Sequence, residues 1–154
     1  MKSKFALTAG EVAHALHKMF RSPEWMAVEE LHISGLNRYI DFWAIKIEEQ
    51  IKPMRYPKKG FEFLSIHAIE IKISRQDFMK ELKEPAKRLG AELFSNYFSF
   101  AAPRGVIELD EIPEGIGYIE IQGNKPKLIR LADYTRAEPP DWSFIASLGR
   151  ALKR

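Results

Sequence analysis

The stretch "HAIEIKIS", residues 67–74, alternates like a β-strand yet carries Glu70 and Lys72 two residues apart. Side chains alternate along a strand with period two. His67, Ile69, Ile71 and Ile73 therefore share one face, and Ala68, Glu70, Lys72 and Ser74 share the other. The isoleucine face predicts a helix packed against it. Glu70 and Lys72 then stand side by side on the opposite face, near the end of the strand. Ser74-Arg-Gln-Asp77 follows with capping-box-like spacing and predicts a helix start. Met79, Leu82, Ala86, Leu89 and Leu93 continue it at helical intervals, and Pro85 is expected to kink or split it.

On the N-terminal side, "FEFLSIHAIEIKI" (61–73) reads as one long third strand, preceded by the basic, Pro- and Gly-punctuated loop "KPMRYPKKG" (52–60). "RYIDFWAIKI" (38–47), aromatic and β-branched, predicts a second strand, and "EWMAVEELHI" (24–33) a first, with Gly35 and Asn37 in the turn between them. Thr8 and Glu11 form a capping box ahead of Val12, Leu16 and Met19, so residues 9–20 are expected to be helical. On the C-terminal side, "NYFSFAA" (96–102) predicts a strand. "GYIEIQGNKPKLIRL" (117–131) predicts a hairpin turning at Gly123-Asn124, and Asp141 the N-cap of a last helix. The order is helix, three strands, helix, strand, hairpin, helix. It predicts a central sheet flanked by helices in a single α/β or α+β domain spanning residues 1–154.

With 154 residues and 45% apolar content, the chain is long and apolar enough for one core. It has no apolar run long enough to span a membrane. His14, His17 and Lys18 interrupt the N-terminal segment, which argues against a signal peptide. Cysteine is absent, which excludes disulfides and cysteine-ligated zinc. A cytoplasmic location is the expectation from these features. The net charge of +3 permits nucleic-acid binding without announcing it. Lys52, Arg55, Lys58 and Lys59 form the densest basic cluster. The four histidines form no metal set: His14 and His17, three apart on the first helix, are a possible pair, but His32 and His67 have no ligand-like spacing. Trp25, Trp43 and Trp142 are expected in the core or at an interface.

Asp41 is the only acid in "RYIDFWAI", and aspartate is poorly suited to a strand interior. If the second strand pairs with the third as a hairpin, Asp41 and Glu70 meet on one face. Two carboxylates held together repel, and a divalent cation relieves that repulsion. Mg²⁺ suits one or two carboxylates plus waters and a substrate phosphate, and the Ile71 carbonyl offers a further oxygen. Lys72 aims its ammonium at the same point, where it would steady a developing charge or help position a water. The bland alternative is an Asp41–Lys72 ion pair that only supports the fold.

Asp41, 28 intervening residues and Glu70-Ile71-Lys72 resemble the PD-(D/E)XK nuclease superfamily, with Ile40 where the usual proline stands. Arg38 with Asp41 resembles its MmcB-like, DNA-repair-associated branch. So do Glu70, Lys72, Ser74, Asp77 and Phe78, Tyr97 and Pro103, and Pro113, Gly115 and Gly117. The resemblance covers roughly residues 28–121. It implies a restriction-endonuclease-like α/β fold with a mixed sheet, and a Mg²⁺- or Mn²⁺-dependent endonuclease acting on DNA in repair or mobile-element processing. Asp41, Glu70 and Lys72 are then the catalytic residues, and Asp41, Glu70 and the Ile71 carbonyl the metal ligands. Glu30 and Glu11 are further candidate acids, although the capping box explains Glu11 more cheaply. Arg38, Ser74, Lys83 and Lys87 are candidate DNA contacts. Glu81 and Glu84, interspersed among the lysines, read instead as a salt-bridged surface. A homodimer is one expectation, because cutting both strands needs two sites. The rival is a DNA-binding or protein-interaction module on the same fold that does not cleave.

Overall fold

The computed structural model describes residues 6–47 and 65–154. The basic segment 52–60 and the first part of the expected third strand, residues 61–64, lie outside the described residues. Helix α1 (Ala9–Met19) starts at Thr8, whose hydroxyl accepts from Glu11 N–H at 3.1 Å while a Glu11 carboxylate oxygen accepts from Thr8 N–H at 3.1 Å. The capping box is thus complete, and two of the helix's otherwise unpaired N–H groups are satisfied. Strands β1 (Trp25–Ile33) and β2 (Arg38–Lys46) follow as an antiparallel hairpin, and β3 (Ile66–Ile71) pairs antiparallel with β2.

Ser74 caps α2 (Arg75–Lys83), its hydroxyl accepting from Asp77 N–H. Pro85 splits the expected long helix as its missing N–H requires: a 3-10 turn at Pro85–Arg88 leads into the short α3 (Leu89–Leu93). The chain returns as β4 (Tyr97–Pro103), parallel to β3. A second crossover brings in β5 (Gly117–Gln122), parallel to β4, and β6 (Lys125–Arg130) closes the edge antiparallel to β5. Helix α4 (Trp142–Lys153) begins at Asp141, whose carboxylate accepts from Phe144 N–H.

The six strands lie in the order β1-β2-β3-β4-β5-β6, an α/β arrangement with a mixed sheet flanked by helices. Each face has its own core. Val12, Ala13, Ala15 and Leu16 of α1 pack on Phe42, Ala44, Ile69, Ala101, Ile119 and Ile121. On the other face Phe78 of α2, Ala91 of α3 and Phe144 of α4 pack with Trp43, Ala68, Phe98, Phe100 and Tyr118. The isoleucine side of β3 therefore faces a helix, as its pattern predicts. The opposite side is covered too, so Glu70 and Lys72 do not stand on a wet face.

Three sequence expectations need correction. The third strand ends at Ile71 rather than residue 73, because Lys72 and Ile73 already lead into the α2 cap. Trp142 is 87% exposed, so of the two places expected for it, core or interface, the core is ruled out. The buried stripe of α4 is Phe144, Ser147 and Ala151, and Trp142 falls outside it. Glu81 is 4% exposed, not part of a salt-bridged surface. It lies three residues after the fully buried Phe78, on the same side of α2.

The β1–β2 ladder carries one irregularity. Glu29 pairs with Phe42 and Leu31 with Ile40, but the step between, Glu30 opposite Asp41, is unpaired. Glu30 has φ +51°, a left-handed conformation uncommon for a residue with a side chain. Val28 and Leu31 lie in one core cluster although three residues apart, and so do Trp43 and Ile40. Both strands thus switch face at this step. Glu29 and Glu30 are consequently both exposed, instead of pointing to opposite faces as simple alternation predicts.

Candidate active site

The β2–β3 register pairs Phe42 with Ile69, so the next step sets Asp41 against Glu70. An Asp41 carboxylate oxygen, Oδ2, accepts from the Ile71 N–H at 2.8 Å. That bond fastens Asp41 to the end of β3, where regular pairing with β2 has stopped. Ile71 thus meets Asp41 through its N–H. Lys72 continues the β3–β4 ladder by one bond, donating its N–H to the Ala101 carbonyl at 2.9 Å. Its backbone is therefore fixed, and its side chain is 15% exposed.

Burial pushes the Glu70 carboxyl up to about 9, reinforced by the neighbouring Asp41 carboxylate and by Glu81, and opposed by the Lys72 ammonium. Glu70 Oε2 is buried without a hydrogen-bond partner among the described residues. An orphaned carboxylate oxygen beside a second carboxylate costs free energy unless a proton or a cation satisfies it. Asp41 also lines an open cleft of about 300 Å³ with Gly10 of α1, Glu30, Ile71 and Asp77, which gives Asp41 a solvent-facing side; Glu70 does not line it.

Lys72 does not pair with Asp41 as the fold-support reading expects. Its ammonium lies 3.4 Å from Glu81 Oε2, an ion pair whose two side chains are 15% and 5% exposed. The other Glu81 oxygen, Oε1, is buried without a partner among the described residues. Glu81 is the member of this cluster that sequence reasoning missed. Its signal was positional: in "DFMKEL" it stands between the inward-facing Phe78 and Leu82, which packs against the same core.

The remaining candidates divide. Glu30 lines the Asp41 cleft, but Arg154 donates to its carboxylate at 3.3 Å and to its carbonyl at 2.7 Å. Glu11 is committed to the α1 cap, and Ser74 to the α2 cap. Arg38 is exposed at the start of β2, and its charge acts on Glu84. Lys87 pairs with Glu84 at 2.6 Å, and Lys83 is exposed at the end of α2. The fold therefore brings Lys72 to the acidic pair, while Lys87 pairs with Glu84 and the charge of Arg38 also acts on Glu84.

Gly115 and Gly117 precede and open β5, beside β4. Gly115 has φ +86°, and a Cβ on Gly117 would collide with Ser99 Oγ and lie 2.8 Å from the Ala132 nitrogen. Both glycines are thus explained by backbone geometry and close strand packing. Tyr97 stacks on His67 at 4.8 Å, at the far end of β3 from Glu70.

Among the described residues, no three His, Asp or Glu side chains are placed to hold a metal ion together. Asp41 and Glu70 form a two-carboxylate site of hard oxygens, which is the donor type and number that Mg²⁺ or Mn²⁺ accepts alongside waters and phosphate. No helix among the described residues is long and apolar enough to cross a membrane.

No family model matches the chain, and no curated protein matches it. Among solved structures, it is similar to a protein of unknown function from Silicibacter pomeroyi, with a TM-score of 0.62 and 17% identity. The match covers 96% of this chain and 83% of that one. At that identity the likeness extends to the fold alone.

Proposed function

We propose that this chain is a restriction-endonuclease-like, single-domain deoxyribonuclease that hydrolyses phosphodiester bonds with Mg²⁺ or Mn²⁺. The observation that carries the reading is the orphaned Glu70 Oε2, buried beside Asp41 at the open end of β3 with Lys72 next to it. The resemblance of Asp41 and Glu70-Ile71-Lys72 to the PD-(D/E)XK pattern supports the same assignment and supplies DNA as the substrate.

Asp41 and Glu70 would hold the cation, with the Ile71 carbonyl as a further oxygen. A cation bound there supplies Lewis acidity toward the phosphate and acidifies the attacking water. Asp41 is kept in place by the Ile71 N–H, so the site is ordered before any ligand arrives. Glu70 must give up its proton to act, and burial makes it keep that proton until a cation replaces it. Lys72, held close by, steadies the charge that develops on the phosphate oxygens. Arg38, Lys83 and Lys87 are the DNA contacts in this reading. Two copies of the chain would serve the two strands of a duplex.

A non-cleaving DNA-binding or interaction module is the second reading. The prior engagement of Lys72 by Glu81 and of Lys87 by Glu84 favours it, because cations already paired are less available to phosphate. Cleavage of labelled single-stranded, duplex and branched DNA with Mn²⁺ separates the two. The nuclease reading expects metal-dependent cleavage that Asp41→Ala and Lys72→Ala each reduce at least about a hundredfold. Folded protein that binds DNA but cuts none of the three substrates would sink it.

A further inference from the structure

Lys72 has a choice of three carboxylates. Glu70 precedes it by two residues on the same side of the chain, Asp41 adjoins Glu70, and Glu81 reaches across from α2. The two acids at the strand ends would form a ready resting place for its ammonium, since each uncompensated charge there is costly. The structure instead has Lys72 on Glu81, at 3.4 Å and with Glu81 at 5% side-chain exposure. Phe78, fully buried one turn earlier, fixes this side of α2 against the sheet and so fixes Glu81. Glu81 still has one buried oxygen to spare. It is not placed with Asp41 and Glu70 to share a metal ion.

We propose that Glu81 is a positioning residue: it holds the Lys72 ammonium off Asp41 and Glu70, and so keeps that pair of carboxylates open to a divalent cation. This rests on the metal-binding reading above and adds a residue to it. Without the Glu81 charge, Lys72 turns to Glu70 and Asp41 and occupies the cation's place. The flexible four-carbon stem of lysine makes that turn available, whereas the backbone of Lys72 stays anchored to β4. A lysine and a divalent ion then compete for the same two carboxylates.

Calorimetric titration of the full chain with Mn²⁺ alone tests this without reference to cleavage. The wild type is expected to bind, and Asp41→Ala to lose the binding. Glu81→Gln is expected to weaken Mn²⁺ binding at least about tenfold, a typical cost when a group supporting a metal site is removed. The double variant Lys72→Met/Glu81→Gln, which has no lysine left to compete, is expected to regain affinity to within about threefold of wild type. Affinity unchanged in Glu81→Gln would overturn the proposal and leave Glu81 a structural ion-pair partner. A double variant as weak as the single one would overturn it in favour of Glu81 as a ligand. Absence of Asp41-dependent binding in the wild type would overturn the metal reading and this inference with it. Circular dichroism checks folding throughout. If Glu81→Gln does not fold, Glu81→Asp, which keeps the charge and loses the reach, must show the same loss and the same rescue by Lys72→Met.

Discussion

Each end of β3 carries a half-buried titratable side chain, and the two are accommodated differently. At one end His67 sits among Phe20 at 5.2 Å, Trp25 at 5.4 Å and Tyr97 at 4.8 Å, and burial pushes it down to about 4. At the other end Glu70 is pushed up to about 9. The cause is the same, since desolvation penalises whichever form carries charge. The outcome differs because a neutral imidazole is content among rings, whereas Glu70 has a second carboxylate beside it and an oxygen with nothing to bond among the described residues. Burial alone therefore does not mark a site. Burial combined with like-charge company and an unmet hydrogen-bonding group does.

The largest effect on this contrast should come from Phe78→Ala, which attacks only the acidic end. Removing a fully buried phenylalanine costs about 3–5 kcal/mol. Denaturant melts would read that loss. Hydrogen exchange should rise in α2 well before it rises in α1, and equal loosening of both helices would contradict the division into two cores.

Glu70→Gln comes next. Below pH 4.5 Glu70 is protonated in folded and unfolded chains alike, so its contribution there is intact. Between 4.5 and about 9 the unfolded chain releases the proton while the folded one retains it, so stability falls as pH rises. Melting temperatures taken in chelator across that window should decline for wild type and flatten for Glu70→Gln. Parallel curves would mean that Glu70 is not the buried acid described.

His67 should give the opposite slope over a narrower pH window, and so a smaller total change, because its shift is smaller. Its folded value lies below 6.5, so its share of stability is present above that pH and is lost as pH falls toward about 4. His67→Phe should flatten the acid side of the same melting profile and leave the alkaline side alone. A change on the alkaline side would show that the two ends of the strand communicate. The smallest expected change is Ser74→Ala, which removes the α2 N-cap bond and costs about 1 kcal/mol in a denaturant melt.

Much of the fold was legible from local signals. Thr8 and Glu11, Ser74 and Asp77, and Asp141 each announced a helix start, because a cap is satisfied by residues three apart in sequence. Pro85 announced the break, because its missing N–H acts wherever it stands. The facing of Asp41 and Glu70 was legible too, since a hairpin register follows from two adjacent strands. What failed were statements about what lies beyond the neighbouring strand. Glu30 and Asp41 break alternation because both strands switch face together, and no pattern within either strand records that. Glu81 looked like surface because charged residues flank it, but Phe78 rotates that side of α2 onto the sheet.

Sequence by itself thus determined the order of the elements, the helix starts and the meeting of two carboxylates, because those depend on groups near in the chain or one strand apart. Only the tertiary structure decided which carboxylate holds Lys72. That choice depends on the seating of α2 against the far face of the sheet, where burial makes every unpaired charge costly and a distant glutamate becomes the nearest relief.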